Sequence, residues 1–125
     1  HLVVFCEDPS QIDVVKEGRE IRNNPDYAPK GTNVNFVNSK QEVITMRTYE
    51  RGVENETLSC GTGAVASAIA TEFIEKQGLT SYQVKVPGGQ LLVKFKQTGP
   101  NSFQNICLEG EAKKVFEGTI KLEYR

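Results

Sequence analysis

Residues 59–70 read Ser-Cys-Gly-Thr-Gly-Ala-Val-Ala-Ser-Ala-Ile-Ala, so a cysteine and a glycine-rich turn lead directly into a run of small side chains. We predict a helix from Gly61 to about Gln77, with Gly78 as the glycine that follows its C-terminal end. The polar residues 51–59 before it predict a loop. Because almost every side chain of the helix is small, strands can approach it closely.

The segments on either side of this helix favour strands and one further helix. That helix is predicted from a capping start at Ser10 and Asp13 to about Arg22. Hairpin turns are predicted at 38–40 and 87–89. The predicted strands are Leu2–Glu7, Thr32–Val37, Gln41–Tyr49, Tyr82–Val86, Gln90–Lys96, Phe103–Leu108 and Lys113–Leu122. This order predicts a strand-rich α+β domain with a largely antiparallel sheet.

The composition is that of a soluble globular domain. The chain has 125 residues, 38% of them hydrophobic and 25% charged, with a formal net charge of -1, which suits a single domain over residues 1–125. Lys and Arg are scattered among Asp and Glu, whereas nucleic acids and anionic membranes require a clustered basic surface. No apolar run has the length of a membrane span. We therefore expect neither a nucleic-acid nor a membrane partner.

The three cysteines, Cys6, Cys60 and Cys107, indicate free thiols. Their odd number, wide spacing and lack of a CxxC pair argue against a disulfide framework or a metal site. Reduced thiols are typical of the cytoplasm, which is the expected location. Cys6 and Cys107 lie in apolar runs, which predicts packed core positions. The chain opens on His1 inside a predicted strand, and we expect it to be a fragment of a longer protein.

The position of Cys60 at a predicted helix start indicates a reactive thiol. Unpaired backbone N–H groups and the positive end of the helix dipole converge there, and both favour a thiolate. The same N–H groups can bind an anion, which Gly61 and Gly63 allow to approach closely, and Thr62 adds a hydroxyl donor. A carboxylate bound here places its α-carbon beside the sulfur. The arrangement suits removal of the α-proton, because the donors stabilise the charge that develops.

Two other interpretations of this short pattern stay open on the residues alone. A cysteine beside a glycine-rich turn can be an inert structural thiol. The turn can also bind phosphate, although it lacks the Lys-Ser/Thr ending of a P-loop.

Longer motifs resemble the second half of diaminopimelate epimerase from one end of the chain to the other. The most specific is Tyr-Glu-Arg-Gly-Val at 49–53, followed by Glu-Thr at 56–57 and Cys-Gly-Thr-Gly-Ala at 60–64. The supporting segments are His1–Phe5, Gly31–Val37, Val86–Leu91, Leu108–Ala112 and Val115–Gly118.

The resemblance implies a two-domain enzyme in which each half is a barrel-like sheet wrapped around a central helix. Each half supplies one cysteine, and the substrate lies between the halves. The implied reaction interconverts L,L- and meso-diaminopimelate in lysine and peptidoglycan-precursor biosynthesis. It needs no pyridoxal phosphate, so no cofactor is expected.

The resemblance also assigns residues to the reacting centre. Cys60 corresponds to the catalytic acid/base of the second half, and Gly61 and Thr62 to the cradle of the reacting carboxylate. His1 corresponds to a catalytic histidine that tunes the thiols.

A second group of residues corresponds to the family residues that recognise the substrate. Arg51 matches a clamp for the distal carboxylate, since a planar guanidinium suits that group. Glu50 matches its neighbour, which accepts an amino group or sets thiol protonation, and is the third catalytic candidate. Asn33 matches a substrate-contacting asparagine, with Asn35 the less favoured neighbour. Without the resemblance, Glu50, Arg51 and Asn33 would be interpreted as ordinary loop and strand-edge residues.

The chain departs from the family pattern in carrying one cysteine motif where the reaction needs two. We therefore expect the 125 residues alone to be inactive, and the missing N-terminal domain is the expected partner. A homodimer is compatible with the sequence. The alternatives are another cofactor-independent isomerase, of the proline racemase or phenazine-pathway type, and a non-catalytic module that binds an anionic metabolite.

Overall fold

The computed structural model describes residues 1–124 and contains seven strands and two α-helices. In chain order the elements are β1 (Leu2–Phe5), α1 (Val14–Arg22), β2 (Val34–Lys40), β3 (Val43–Glu50), β4 (Asn55–Thr57), α2 (Gly61–Glu75), β5 (Ser81–Val86), β6 (Gly89–Gly99) and β7 (Ser102–Gly110). Short 3-10 turns lie at Pro9–Gln11 and Pro25–Tyr27. None of the helices over residues 1–124 is both long and apolar enough to cross a membrane.

The strands form one sheet in the order β1-β2-β3-β5-β6-β7, with β4 paired to β3. The predicted α+β, strand-rich architecture is confirmed, but the sheet is mixed. β1 pairs with β2 and β3 pairs with β5 in parallel, whereas the other four pairs are antiparallel. Each parallel pair is joined through a helix, α1 in the first case and α2 in the second, because parallel neighbours need a crossover connection.

Helix α2 lies against the sheet and contacts six of its strands, β1, β2, β3, β5, β6 and β7. Its inward positions include Ala64 and Ala68, each with 0% exposure. They pack against a buried cluster formed by Val37, Ile44, Met46, Tyr82, Val84, Val93 and Phe95. The predicted reason for a small-residue helix is therefore confirmed, since the strands approach its backbone from several sides.

Helix α1 covers the opposite face of β2 and β3. Val14 packs there with Val34, Phe36 and Tyr49. Gly18 faces Tyr49 so closely that an added Cβ would lie 2.3 Å from the Tyr49 Cβ. The helix is capped by Asp13, whose side chain accepts from Lys16 N at 3.1 Å, rather than by Ser10.

Two features of the middle of the chain differ from the prediction. The turn between β2 and β3 is Gln41-Glu42 instead of 38–40, because β2 continues through Lys40 in register with Val43. The loop predicted at 51–59 contains β4, whose polar side chains hid the strand pattern.

The C-terminal end of α2 also differs. Lys76, not Gly78, takes the left-handed conformation that ends the helix. Gly78 instead donates its N–H to the buried carboxylate of Glu72 at 2.8 Å.

The predicted strand Lys113–Leu122 is wrong for the described chain, in which residues 111–124 form neither helix nor strand. The apolar side chains of this segment are exposed, with 83% for Val115, 84% for Phe116 and 80% for Ile120. The pattern has strand character, but within residues 1–124 no neighbouring strand pairs with it.

Candidate active site at the start of helix α2

Cys60 occupies the position immediately before α2 and is separated from the end of β4 at Thr57 by Leu58 and Ser59. It is 7% exposed, with extended backbone angles of φ -133° and ψ 102°. Its carbonyl accepts from Ala64 N at 2.9 Å, which makes it the N-cap residue. Its side chain makes no capping bond, so the sulfur does not occupy the helix start.

The backbone amides of Gly61, Thr62 and Gly63 therefore remain available at this helix start. Ala64 N is the first amide of α2 to bond within the turn, and the three before it belong to the unpaired set of any α-helix. Three N–H groups with the positive end of a helix of 15 residues form an anion-binding position. The amides of the predicted cradle thus lie together in the first turn of α2.

His1 and Thr62 are brought together with Cys60. His1 Nε2 lies 2.8 Å from Thr62 Oγ1, and Thr62 Oγ1 lies 3.8 Å from Cys60 Sγ. His1 and Thr62 are both exposed. The three side chains form a chain of polar groups that runs from the surface to the half-enclosed sulfur.

Asn35 is a further member of this site. Its side chain is 0% exposed, and its Oδ1 accepts from Thr48 Oγ1 at 2.9 Å. A Cβ added to Gly63 would lie 2.4 Å from that Oδ1 and 3.1 Å from Cys60 Sγ, so Gly63 lets the amide and the sulfur approach the helix. Asn33, which remains the predicted substrate contact, does not share these contacts. The missed signal was a polar residue at an inward position of β2, directly opposite Thr48 in β3.

A neighbouring group lies where β2 begins and β3 ends, and it consists of Asn33, Glu50 and Arg51. Asn33 Oδ1 accepts from the backbone N of Arg51 at 2.7 Å. Arg51 is exposed and donates through Nη1 to Lys30 O at 3.2 Å. Glu50 is half-buried. It follows Thr48 by two residues in β3, so the two side chains share the face of the sheet that α2 covers.

The other two thiols differ from Cys60. Cys6 is half-buried, and its Sγ donates to Val37 O at 3.5 Å. Burial and the nearby charges of Asp8 and Glu17 raise the pKa of the Cys6 thiol, which disfavours the thiolate. Cys107 is exposed on β7, so its predicted core position is wrong.

Apolar side chains flank the sulfur at the surface. Leu58 is 71% exposed and Leu108 is 43% exposed. The backbone of Leu58 is fixed, because its carbonyl accepts from Gly88 N in the β5–β6 turn at 2.7 Å. The site is therefore an open polar cluster with apolar edges.

Known proteins resemble the chain over nearly its whole length. The diaminopimelate epimerase family model matches residues 1–115. A diaminopimelate epimerase of Flavobacterium psychrophilum is 46% identical over 96% of this chain and 47% of its own length. A second, of Chlorobaculum tepidum, is 41% identical over 98% of this chain and 47% of its own length. The chain spans about half the length of the curated relatives it matches.

Solved structures share the fold at low sequence identity. A phenazine biosynthesis protein of the PhzF family from Enterococcus faecalis has a TM-score of 0.58 and 16% identity, over 76% of this chain and 33% of its own. A structure described as a predicted epimerase from Pseudomonas aeruginosa has a TM-score of 0.53 and 13% identity, over 78% of this chain and 33% of its own. These likenesses show the fold.

Proposed function

The chain belongs to the diaminopimelate epimerase family, and we propose that it forms the C-terminal catalytic half of an enzyme that epimerises L,L-diaminopimelate to meso-diaminopimelate. The observation that carries the proposal is Cys60 before three unpaired amides, with Thr62 and His1 beside it. The proposed setting is lysine and peptidoglycan-precursor biosynthesis in the cytoplasm.

In the proposed reaction the substrate carboxylate binds the amides of Gly61 and Thr62, which places the α-carbon beside Cys60 Sγ. On this side of the α-carbon the thiolate takes the α-proton, and the electron pair of the broken C–H bond spreads onto the carboxylate. The amides stabilise that charge because they already point at it. In the reverse direction the Cys60 thiol donates its proton to the α-carbon.

Inversion requires a second acid/base on the opposite face of the α-carbon. Cys6 and Cys107 lack a glycine-rich turn and a helix start of their own, so neither offers that geometry. We propose that a second thiol comes from an N-terminal domain of the same chain. It follows that the 125 residues alone do not epimerise.

The far end of the substrate is proposed to reach the group around Arg51. Its guanidinium is exposed and suits a second carboxylate. Glu50, on the same face as Thr48, is suited to accept the distal ammonium or to influence the protonation of the thiol. Asn33 holds the Arg51 backbone in place.

The test is exchange of the substrate α-proton with deuterium from heavy water, followed by NMR in the full-length protein. We expect Cys60→Ala to reduce exchange by a factor of about 10³, a typical loss when an acid/base group is removed. Cys107→Ala is the matched control, since this exposed thiol lies on β7 and has no proposed role. Undiminished exchange by Cys60→Ala would sink the assignment.

The fold shared with the PhzF-family protein and the predicted epimerase favours a second candidate, another cofactor-independent amino-acid isomerase. Lysine separates the two, because it equals diaminopimelate without the distal carboxylate. We expect exchange with diaminopimelate and little with lysine. Equal exchange of both would favour the second candidate, and exchange of no amino acid would favour a non-catalytic anion-binding module.

A further inference from the structure

The orientation of the Asn35 side-chain amide is fixed by its partners. One amide atom lies 3.0 Å from the carbonyl oxygen of Leu2. A carbonyl oxygen can only accept, so that atom is the Nδ2 donor. The other, Oδ1, accepts from Thr48 Oγ1. Since Asn35 is fully buried, turning the amide over would oppose two oxygens without water to separate them.

This fixed amide determines which nitrogen of His1 carries a proton. Asn35 Nδ2 lies 3.3 Å from His1 Nδ1. Because Nδ2 is a donor, Nδ1 must accept, and the proton of the neutral imidazole is on Nε2. The Nε2–H group then donates to Thr62 Oγ1, which lies 2.8 Å away.

The Thr62 hydroxyl receives a hydrogen bond from His1, so its own proton is free to point elsewhere. Cys60 Sγ lies 3.8 Å from Thr62 Oγ1. We propose that Asn35 is a positioning residue that selects the Nε2–H tautomer of His1 and thereby turns the Thr62 hydroxyl proton toward the Cys60 sulfur.

As a consequence, the Thr62 hydroxyl points its proton at the Cys60 sulfur and acts as a hydrogen-bond donor to it. The chain Asn35 Nδ2–H, His1 Nε2–H and Thr62 O–H points in one direction, and its last donor stabilises a thiolate on Cys60. With the opposite tautomer, the unprotonated Nε2 would accept the Thr62 proton and direct it away from the sulfur. No proton is transferred in either arrangement, so the amide sets only the polarity of the bonds. This role of Asn35 rests on the proposed function, in which Cys60 acts as an acid/base, and adds a residue that controls its thiol.

The first test is the ¹⁵N NMR spectrum of histidine-labelled full-length protein, at a pH where the imidazole is neutral. The signals of His1 are assigned by their loss in His1→Gln. We expect the Nε2–H pattern in the wild type. An Nδ1–H pattern there would overturn the proposal without any variant of Asn35.

Asn35→Asp tests the selecting role directly. A carboxylate of the same shape can only accept, so we expect the His1 proton to move to Nδ1 and its ¹⁵N pattern to change. Asn38→Asp is the matched control, because Asn38 Nδ2 donates to Cys6 O at 3.0 Å on the same pair of strands and contacts no histidine. A His1 pattern unchanged by Asn35→Asp in a folded protein would contradict the proposal.

The second readout is the rate at which iodoacetamide alkylates Cys60, located by mass spectrometry, at a fixed pH. Thr62→Val removes the hydroxyl at nearly constant volume, and we expect a rate roughly threefold lower because a donor to a charged group is lost. Thr62→Ser keeps the hydroxyl and should keep the rate. Equal rates for Val and Ser at position 62 would show that the hydroxyl does not act on the sulfur.

These readouts are independent of epimerisation. If the tautomer and alkylation results fail while deuterium exchange requires Cys60, only the role of Asn35 falls. If they hold while no substrate exchanges, the hydrogen-bond chain stands and the proposed function falls.

Discussion

At the residue scale, the site depends on how closely two side chains approach the backbone of Gly63. Gly63 lies against both the amide of Asn35 and the sulfur of Cys60. Asn35 is held in turn by Thr48 and by Leu2 O. A glycine in the first turn of α2 is thus a packing requirement as well as a means for an anion to approach.

Gly63→Ala is expected to displace the site. The new Cβ would lie 2.4 Å from Asn35 Oδ1, and because both groups are buried, we expect a loss of roughly 1–3 kcal/mol in the free energy of unfolding. Exchange activity should fall by about 10²-fold, since small misplacements of reacting groups cost this much. Urea unfolding and deuterium exchange measure the two effects. Gly118→Ala is the control, as a Cβ there meets open space, and equal behaviour of both variants would contradict the packing argument.

At the element scale, helix α2 is anchored at its C-terminal end by Glu72. This side chain is 1% exposed, and its carboxylate accepts from Gly78 N, Leu79 N and Tyr82 Oη at 2.8, 3.3 and 2.8 Å. The bonds connect the helix to the loop that follows it and to β5. Three donors thus satisfy the buried carboxylate, and they hold the chain that follows α2 against the sheet.

Tyr82 should make stability fall at alkaline pH. Burial, followed by the hydrogen bond to Glu72 and then the charge of Glu72, raises the pKa of Tyr82 above its ordinary value of 10.0. In the unfolded chain the phenol ionises near 10.0, whereas in the folded chain it stays neutral to higher pH. Its stabilising contribution is therefore complete below that pH and is lost as the pH rises above it.

Thermal unfolding between neutral and strongly alkaline pH measures this effect. We expect Tyr82→Phe to be less stable at neutral pH, by about 1 kcal/mol for one lost hydrogen bond, and to lose less stability on going to alkaline pH. Tyr124→Phe, at a side chain with 95% exposure, should follow the wild type. Parallel alkaline losses in wild type and Tyr82→Phe would contradict the assignment.

Helix α1 depends on one close approach to the sheet. Gly18→Ala would place a Cβ 2.3 Å from Tyr49 Cβ. Because Tyr49 is fully buried, the helix must move outward, and we expect a loss of roughly 1–3 kcal/mol in stability from overpacking. Glu20→Ala, at an exposed position of the same helix, should change stability little. Urea unfolding decides, and a stable Gly18→Ala protein would show that α1 tolerates displacement.

At the scale of the whole molecule, exposed apolar side chains lie near the candidate site. Leu58 and Leu108 flank Cys60, and Ile106 on β7 is 46% exposed. The segment 111–124 adds further exposed apolar side chains, among them Val115 and Phe116. Such surface fits the proposal that a second domain covers the site.

The 125-residue chain by itself should therefore bind a hydrophobic dye such as ANS more strongly, per residue, than the full-length protein does. It should also give no conversion of L,L- to meso-diaminopimelate, because inversion needs a second acid/base group on the opposite face of the α-carbon. Replacing Leu58 and Leu108 by Ser should reduce the dye signal of the fragment, whereas replacing Gln83, an exposed polar residue of β5, by Ser should not. Formation of meso-diaminopimelate by the fragment would contradict the need for two halves.

The sequence by itself determined the elements whose patterns are local. The small side chains from Gly61 onward indicate α2, alternating apolar residues indicate β2 and β3, and Pro87-Gly88 indicates the turn before β6. The cysteine before the helix identified the centre of the site, because a helix start has unpaired amides whatever surrounds it.

Only the tertiary structure decided the features that need residues distant in the chain. The parallel pairing of β3 with β5, the strand β4 and the contacts of the buried Asn35 side chain all depend on which residues lie opposite. Likewise, Cys107 has apolar residues next to it in the sequence but is exposed, because β7 is the last strand of the sheet. The sequence alone does not tell which polar residue of β2 lies beneath the start of α2. The packing of α2 on the sheet decides this, because it brings Gly63 against Asn35.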